Sequence, residues 1–334
     1  MCVVLYLQMD EMEGCRMIAR QNRSANGIRK NGTRHSTWYF YWKYRYLTIL
    51  FVPAVLYYAV FAYAPLYGIQ IAFKEYMFNK GIWGSKWIGF DNFRLLFLVG
   101  SFREIFVNTI IISFYKLVWG FPAPIIFAIL LSELRSKRFL KSVQTISYLP
   151  HFLSWVILAG LFMQFLSPST GPVNVLISSL GLKPIYFLAD KNWFRSVLVV
   201  TSIWKGVGWG SIIYFASISN INPEMYEGAT VDGANRFQRV IYITIPSLAP
   251  VITIMLIFAA GNLIRDDFDQ IFNLYNPAVY KVADVLSTYT YRMGLVEMKY
   301  EFSTAAGLFT NLVSFILVFL ANFIAKRINE YGVW

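Results

Sequence analysis

The stretch EMYEGATVDGANRFQRVIYITIP, residues 224–246, lies between two apolar blocks of the chain. It carries three acids and two arginines, has an Asp-Gly pair in its middle and ends at a proline. The flanking blocks, at residues 194–219 and about 245–264, are each long enough to cross a bilayer core of roughly 30 Å. A polar module between such blocks indicates a loop that joins two membrane-spanning helices.

The composition extends this interpretation to the whole chain. Of its 334 residues, 57% are hydrophobic and 14% are charged, whereas a soluble domain carries about 25% charged residues. The apolar residues form continuous blocks rather than the stripes of a soluble core. We therefore predict an all-α integral membrane protein with six transmembrane helices. The predicted helices cover residues 46–70, 105–131, 143–167, 194–219, 245–264 and 304–325.

The basic residues predict the orientation of these helices. Lys and Arg collect in residues 1–45, in the short loop ELRSKRFLK and after the last apolar block. Six spans place these three segments on one side of the membrane, and the positive-inside rule makes that side cytoplasmic. The predicted topology is N-in/C-in. Residues 1–45 form a basic cytoplasmic segment, and residues 46–334 form the transmembrane domain with a cytoplasmic loop at 221–245.

Local signals in this loop predict two short helices joined by a bend. Asn222 can cap a helix whose first residue is Pro223. Gly233 tolerates the positive φ that ends such a helix, and a second helix follows through ANRFQRVIY. Pro246 then opens the fifth spanning helix, and Glu227 is exposed near the bend. The residues alone fit equally well an ordinary amphipathic interfacial loop and a docking element.

The spacing within this loop resembles a family motif. Glu227, Gly228 and Ala229 are followed by three residues, Gly233, nine residues and then Ile243-x-Ile245-Pro246. This is similar to the EAA motif of binding-protein-dependent ABC importer permeases, with Gly228 in place of Ala and Ile245 in place of Leu. QTISYLPHFLSWV, NLYNPAVY and INEYGVW resemble the polysaccharide and complex-oligosaccharide branch of these permeases, which includes the alginate importer.

The resemblance implies a multi-subunit machine in the bacterial cytoplasmic (inner) membrane. This chain would pair with a second, homologous permease subunit. Two ATPase subunits would bind ATP and Mg on the cytoplasmic side, and a periplasmic or lipid-anchored solute-binding protein would deliver a saccharide. By the same resemblance, Glu227 pairs with a base on the ATPase and Gly233 forms the bend. Asp232 and Arg236 stabilise the loop or contact the rim of the ATPase groove.

The sequence offers no chemistry of its own. It contains no G-x-x-x-x-G-K-[ST] phosphate loop. His35 and His151 lack the neighbours that a catalytic triad or a metal site needs, and Cys2 and Cys15 suggest no disulfide framework. We therefore expect a transport subunit without catalytic residues, metal or cofactor. The basic charge reflects cytoplasmic loops facing membrane lipid rather than nucleic acid.

Charged residues inside the spans are candidates for the substrate pathway. Lys205 would face the pore and meet an anionic sugar group, with Trp204, Trp209 and Tyr214 as stacking faces. Equally, Lys205 could snorkel or pair with an acid of the partner subunit; for Lys116 the structural role is favoured. Polar residues at the outer end of the fifth helix, Asn262 and Asp267 with Asp266 and Asp269, are a gate, a docking site or a solvated rim. A carboxylated, alginate-like substrate follows from Lys205 and the family branch.

Two other functions are compatible with a polytopic chain. An ion-coupled secondary carrier for sugars would carry paired acids within its spans or inverted repeats, whereas here the acids lie in loops. A membrane-embedded glycosyltransferase would need a carboxylate-rich catalytic loop, and only residues 266–269 resemble one. Both alternatives are therefore less favoured than a permease.

Overall fold

The computed structural model describes residue 42 and residues 44–98 and 100–329. Most of the predicted basic segment at 1–45, and the end of the INEYGVW segment, lie outside the described residues. The chain divides into two units, one that ends at Leu66 and one that begins at Tyr67. The packing and the sites described below belong to the second unit.

The described part of the chain is almost entirely helical. In chain order the helices are α1 (Arg45–Tyr58), α2 (Gly81–Gly84), α3 (Asp91–Leu98), α4 (Gly100–Tyr115), α5 (Pro122–Ser132), α6 (Lys137–Tyr148), α7 (Trp155–Phe165), α8 (Pro172–Ser179), α9 (Phe194–Ser219), α10 (Pro223–Val231), α11 (Arg236–Arg239), α12 (Ile245–Gly261), α13 (Phe268–Leu274), α14 (Tyr280–Ala283), α15 (Leu286–Tyr291) and α16 (Tyr300–Asn329). One small antiparallel sheet adds to the all-α prediction: β1 (Lys74–Glu75) pairs with β2 (Lys86–Trp87), with Lys74 opposite Trp87.

Six predicted spans correspond to five long apolar helices and one bent pair. The five continuous spans are Arg45–Phe73, Gly100–Ser132, Phe194–Ser219, Arg236–Gly261 and Tyr300–Arg327. The bent pair, Lys137–Phe152 and Trp155–Phe165, is the third span in chain order. The helical, multi-pass architecture predicted from the sequence is thus confirmed.

The third span differs from the continuous helix predicted at 143–167. It begins at Lys137, within the predicted basic loop. The helix axis changes direction by 106° between its two halves. Leu153 and Ser154 are extended, with ψ of 138° and 153°. The Ser154 hydroxyl then accepts a hydrogen bond from the Ile157 N–H at 3.4 Å. This side-chain cap starts a new helix in a new direction, which hydropathy alone cannot show.

Three spans contain a π turn that ends two residues before a proline. Ala59–Tyr63 precedes Pro65, Lys116–Gly120 precedes Pro122, and Val240–Thr244 precedes Pro246. In the last case the Ile245 N–H donates to the carbonyl oxygen of Val240, five residues back. A π turn adjusts the local hydrogen-bond ladder and lets a helix continue through a proline. Pro246 thus stands in the first turn of α12, as predicted, but the fifth span as a whole begins earlier, at Arg236.

Buried side chains form separate clusters along the second unit. One packs Phe194 and Leu198 of α9 against Ile271 and Leu274 of α13. Another, with Ala128, Tyr214 and Leu248, joins α5, α9 and α12. These contacts hold the second, fourth and fifth spans around a common space, which is described below.

Candidate functional site: a cytoplasmic loop and an intramembrane cavity

The predicted cytoplasmic loop is built from local capping interactions, beginning with α10. The Asn222 side chain accepts a hydrogen bond from the Glu224 N–H at 3.1 Å, and Pro223 occupies the first turn. Asn at the N-cap and Pro at the first helical position both favour a helix start. This confirms the predicted beginning of the first short helix.

Gly233 ends α10 in a Schellman motif. Its φ is +81°, in the left-handed region, where a side chain would cost about 1–2 kcal/mol. The Gly233 N–H donates to Thr230 at 3.1 Å, and the Ala234 N–H donates to Ala229 at 2.8 Å. These two bonds satisfy carbonyl groups that the helix end leaves free. The predicted bend therefore lies at Gly233.

The second short helix, α11, starts with a capping box. The Gln238 N–H donates to the Asn235 side chain at 2.9 Å, and the Asn235 N–H donates to the Gln238 side chain at 2.8 Å. Arg239 donates to the Thr230 hydroxyl at 3.1 Å, which braces the two helices against each other. The loop thus holds a fixed bend through short-range bonds.

The outer surface of this loop combines one acid with exposed apolar side chains. Glu227 is exposed, and within the described residues its carboxylate has no hydrogen bond or ion pair. Val231 and Phe237 are 88% and 73% exposed. Met225 and Tyr242 are exposed as well. Exposed apolar side chains beside a polar loop suit contact with lipid or with a protein partner.

The other motif residues contribute to the loop in different ways. Gly228, Asp232 and Pro246 are exposed, whereas Ala229 and Ile243 are half-buried. Arg236 lies 3.9 Å from the Glu133 carboxylate at the end of α5. Both partners of this ion pair are exposed, so it contributes little to stability. Sequence reasoning singled out the motif but missed Val231, Phe237 and Tyr242, whose exposure depends on the direction of the bend.

A cavity of about 460 Å³ lies between the second, fourth and fifth spans. Apolar side chains such as Ile112 and Phe258 form most of its lining surface, and between them lie small and polar groups, among them Ser113, Ser202, Gly206, Tyr214 and Asn262. Its charged lining residues are Lys116, Arg265, Asp266 and Asp267. Of the predicted pathway residues, Tyr214, Asn262 and Asp267 therefore line one cavity.

Lys205, Trp204 and Trp209 are not among the residues that line this cavity. The Lys205 Nζ lies 4.6 Å from the centroid of the Trp155 ring. Trp209 stacks on His151 with centroids 4.6 Å apart, and Trp204 meets Phe162 edge-on at 5.5 Å. The three side chains thus contact α7 and the turn before it.

Three of the four charged residues in the cavity have internal partners. Lys116 donates to the Gln270 side chain, and Gln270 in turn donates to the Leu198 carbonyl and the Thr201 hydroxyl at 2.7 and 2.8 Å. The Asp267 carboxylate accepts from the Trp155 Nε1–H at 2.9 Å. The Asp266 carboxylate accepts from the Ser287 N–H at 3.3 Å, and burial raises the pKa of Asp266.

Arg265 is the charged lining residue that sequence reasoning missed. It follows the apolar fifth span directly and precedes two aspartates, a position that also suits a solvated rim. The described residues contain no group of three or more His, Cys, Asp or Glu that could hold a metal ion. The cavity presents hydroxyl, amide and charged groups beside apolar side chains, which suit the binding of a polar molecule.

Comparisons with known proteins agree with this arrangement. Protein LplB of Bacillus subtilis (strain 168) is 40% identical over 87% of this chain and 91% of its own length. The polygalacturonan/rhamnogalacturonan transport system permease protein YteP of the same organism is 39% identical over 87% of this chain and 90% of its own. A chain from the crystal structure of a bacterial ABC transporter that imports the acidic polysaccharide alginate is 42% identical, with a TM-score of 0.81. That match covers 87% of this chain and 99% of the solved chain.

A family model gives the assignment. The model described as binding-protein-dependent transport system inner membrane component matches residues 120–330. This range includes the end of the second span, the cytoplasmic loop and the whole of the third to sixth spans. The chain therefore belongs to the family of inner membrane components of binding-protein-dependent transport systems.

Proposed function

We propose that this permease carries an acidic oligosaccharide or polysaccharide through the 460 Å³ cavity, driven by ATPase subunits that dock on the loop at 221–245. The chain is a transport subunit of an ABC importer in the inner membrane and is not itself an enzyme, since ATP is hydrolysed by a partner ATPase. The observation that carries the coupling role is the pre-formed bend with an exposed, unpaired Glu227 among exposed apolar residues.

The bend of the loop is formed by hydrogen bonds within the loop itself. These are the Asn222 cap, the Schellman turn at Gly233 and the capping box at Asn235. Tyr226 in α10 shares a hydrogen bond of 2.9 Å with Thr244 in the fifth span. Movement of α10 by an ATPase is therefore transmitted to a helix that lines the cavity. Glu227 pairs with a base on the ATPase, and Asp232 and Arg236 lie at the edge of this contact.

The substrate class rests on the relatives and on the cavity. Alginate and polygalacturonan are polysaccharides whose sugar units carry carboxylates. The permease described for polygalacturonan and the transporter chain described for alginate resemble this protein over most of its length. Hydroxyl and amide groups at Ser113, Ser202, Tyr214 and Asn262 suit the hydroxyl groups of a sugar. A carboxylated saccharide therefore fits this cavity.

The remaining partners complete the transporter. The family's dependence on a binding protein supports delivery of the saccharide by a periplasmic or lipid-anchored solute-binding protein. A second permease subunit supplies the other half of the pathway, and two ATPase subunits, which bind ATP and Mg, contact the cytoplasmic loops. ATP-driven closure of the ATPase pair brings the loops together and opens the cavity outward.

Glu227→Arg tests the coupling role. The substitution places a like charge against the basic partner, so saccharide uptake and saccharide-stimulated ATPase activity should fall at least about tenfold. The matched control is Glu104→Arg, an exposed glutamate near the start of the second span. Equal amounts of both variants in the membrane would show that folding is intact. Unchanged uptake in Glu227→Arg would rule out the proposed contact.

A further inference from the structure

Arg265 occupies a junction between cavities. It lies just after the fifth span, where its N–H donates to the Asn262 carbonyl oxygen at 3.0 Å. Besides the 460 Å³ cavity it lines two others, of about 520 and 290 Å³. Its side chain is exposed, so the guanidinium can reach a molecule that enters from any of these spaces.

Arg265 is also the one charged residue of the 460 Å³ cavity without a side-chain partner among the described residues. Lys116, Asp266 and Asp267 hold hydrogen bonds to Gln270, Ser287 and Trp155. No carboxylate of the described residues lies within ion-pair distance of the Arg265 guanidinium, although two aspartates follow it in sequence. Its donors are therefore available to a ligand.

The chemistry of this free group points to an anion with two oxygens. A guanidinium presents paired N–H groups that match a carboxylate with two parallel hydrogen bonds, which an ammonium cannot do. Burial favours the neutral form of the neighbouring Asp266, so this acid competes less strongly for the guanidinium. Asn262 lines the same cavity and offers an amide to the adjacent sugar hydroxyl groups.

We propose that Arg265 is the specificity-determining residue that binds a uronate carboxylate of the saccharide in the 460 Å³ cavity. This inference rests on the proposed function, since it assigns the substrate class of the same cavity to one side chain. Lys116 keeps its bond to Gln270 and holds α13 against the second span. Lys205, over the Trp155 ring, takes no part in carboxylate recognition.

The test measures saccharide binding to the complete transporter in lipid nanodiscs without the solute-binding protein, which would otherwise select the glycan first. The probes are labelled trigalacturonate and the same trisaccharide with its carboxylates reduced to alcohols. Arg265→Gln should weaken trigalacturonate binding at least about tenfold, because it removes a hydrogen bond to a charged group. Binding of the reduced trisaccharide should not change. Arg265→Lys keeps the charge and loses the paired N–H groups, so its affinity for trigalacturonate should lie between those of the wild type and Arg265→Gln.

Arg94→Gln is the matched control, because Arg94 is exposed in α3 and lines none of the cavities described here. It should bind both probes like the wild type. An equal loss of both probes in Arg265→Gln, or no loss of either, would overturn the proposal. Equal binding of both probes by the wild type would also overturn the Arg265 proposal, but it would leave the proposed function in saccharide transport intact. A wild type that binds neither probe and shows no saccharide-stimulated ATPase activity would contradict the proposed function itself.

Discussion

Asp266 shows how burial acts on a single charged residue in this protein. One carboxylate oxygen accepts from the Ser287 N–H, and the other is buried without a partner among the described residues. Burial raises the pKa of Asp266 above its ordinary value of about 4. Folded Asp266 therefore keeps a proton at pH values where the unfolded chain has released it. Its contribution to stability is present at acidic pH and is lost as the pH rises toward the raised pKa.

Asp266→Asn should avoid this loss, because an amide does not ionise. The variant should gain thermal stability over the wild type at about pH 7.5, by about 1.4 kcal/mol for each unit by which the pKa is raised. Near pH 4 the gain should disappear. The measurement is the Tm of the detergent-purified transporter at both pH values. Asp269→Asn, at an exposed aspartate, serves as the control, and a gain that is the same at both pH values would contradict the explanation.

Gly208 marks the closest approach of α9 to α6. A Cβ at this position would overlap the backbone carbonyl of Ser147, which cannot move without shifting α6. Gly208→Ala should therefore lower the stability by about 1–3 kcal/mol, seen as a lower Tm of the purified transporter. Gly206, in the same helix, has no atom within 4 Å of a Cβ added there. Gly206→Ala should keep or raise the Tm, since alanine favours a helix by about 1 kcal/mol; equal losses in both variants would disprove the packing argument.

At the scale of elements, the cytoplasmic loop depends on its caps rather than on a core. The helix α10 has no buried residue, and neither does α11. Stability of the bend must therefore come from the capping bonds and from the contacts of Tyr226 and Arg239. This explains why short-range sequence signals predicted the loop so well.

Asn235→Ala should loosen the second half of the loop. Loss of the N-cap typically costs about 1 kcal/mol, so the Gln238 amide should exchange hydrogen faster and coupling of ATP hydrolysis to uptake should weaken. Hydrogen exchange followed by mass spectrometry of a peptide covering the loop measures this directly. Asn235→Asp retains a side-chain acceptor and should keep the wild-type exchange rate. An unchanged rate in the alanine variant would show that other contacts hold the bend.

At the scale of the whole molecule, the bent third span decides which loops share a side of the membrane. If the pair Lys137–Phe152 and Trp155–Phe165 crosses once, the 133–136 loop before it and the 168–193 loop after it lie on opposite sides. If it enters and leaves on the same side, only five spans cross and these two loops share one side. The predicted N-in/C-in topology requires the first arrangement.

Cysteine labelling distinguishes the two arrangements. In a chain with Cys2 and Cys15 replaced by serine, Arg135→Cys and Lys183→Cys place single thiols at exposed positions of the two loops. A membrane-impermeant maleimide added to intact cells from which the outer barrier has been removed should label Lys183→Cys and not Arg135→Cys. After the cells are opened, both should react. Equal labelling before opening would contradict six crossings.

The amino-acid sequence by itself determined the membrane spans and the bent cytoplasmic loop. Continuous apolar blocks require membrane spans, because the backbone in lipid must satisfy its hydrogen bonds internally. The signals at Asn222 and Gly233 act through bonds within a few residues, so they predicted the capped, bent pair of helices.

Only the tertiary structure decided which polar groups face the cavity. Hydropathy places Lys205 and Lys116 equally inside spans, but α7 turns at Ser154 and brings the Trp155 ring over Lys205. Gln270 reaches Lys116 from 154 residues away in sequence. These contacts depend on how helices distant in sequence pack together. That packing leaves the Arg265 guanidinium without a partner among the described residues, a property that its neighbours in the sequence do not reveal.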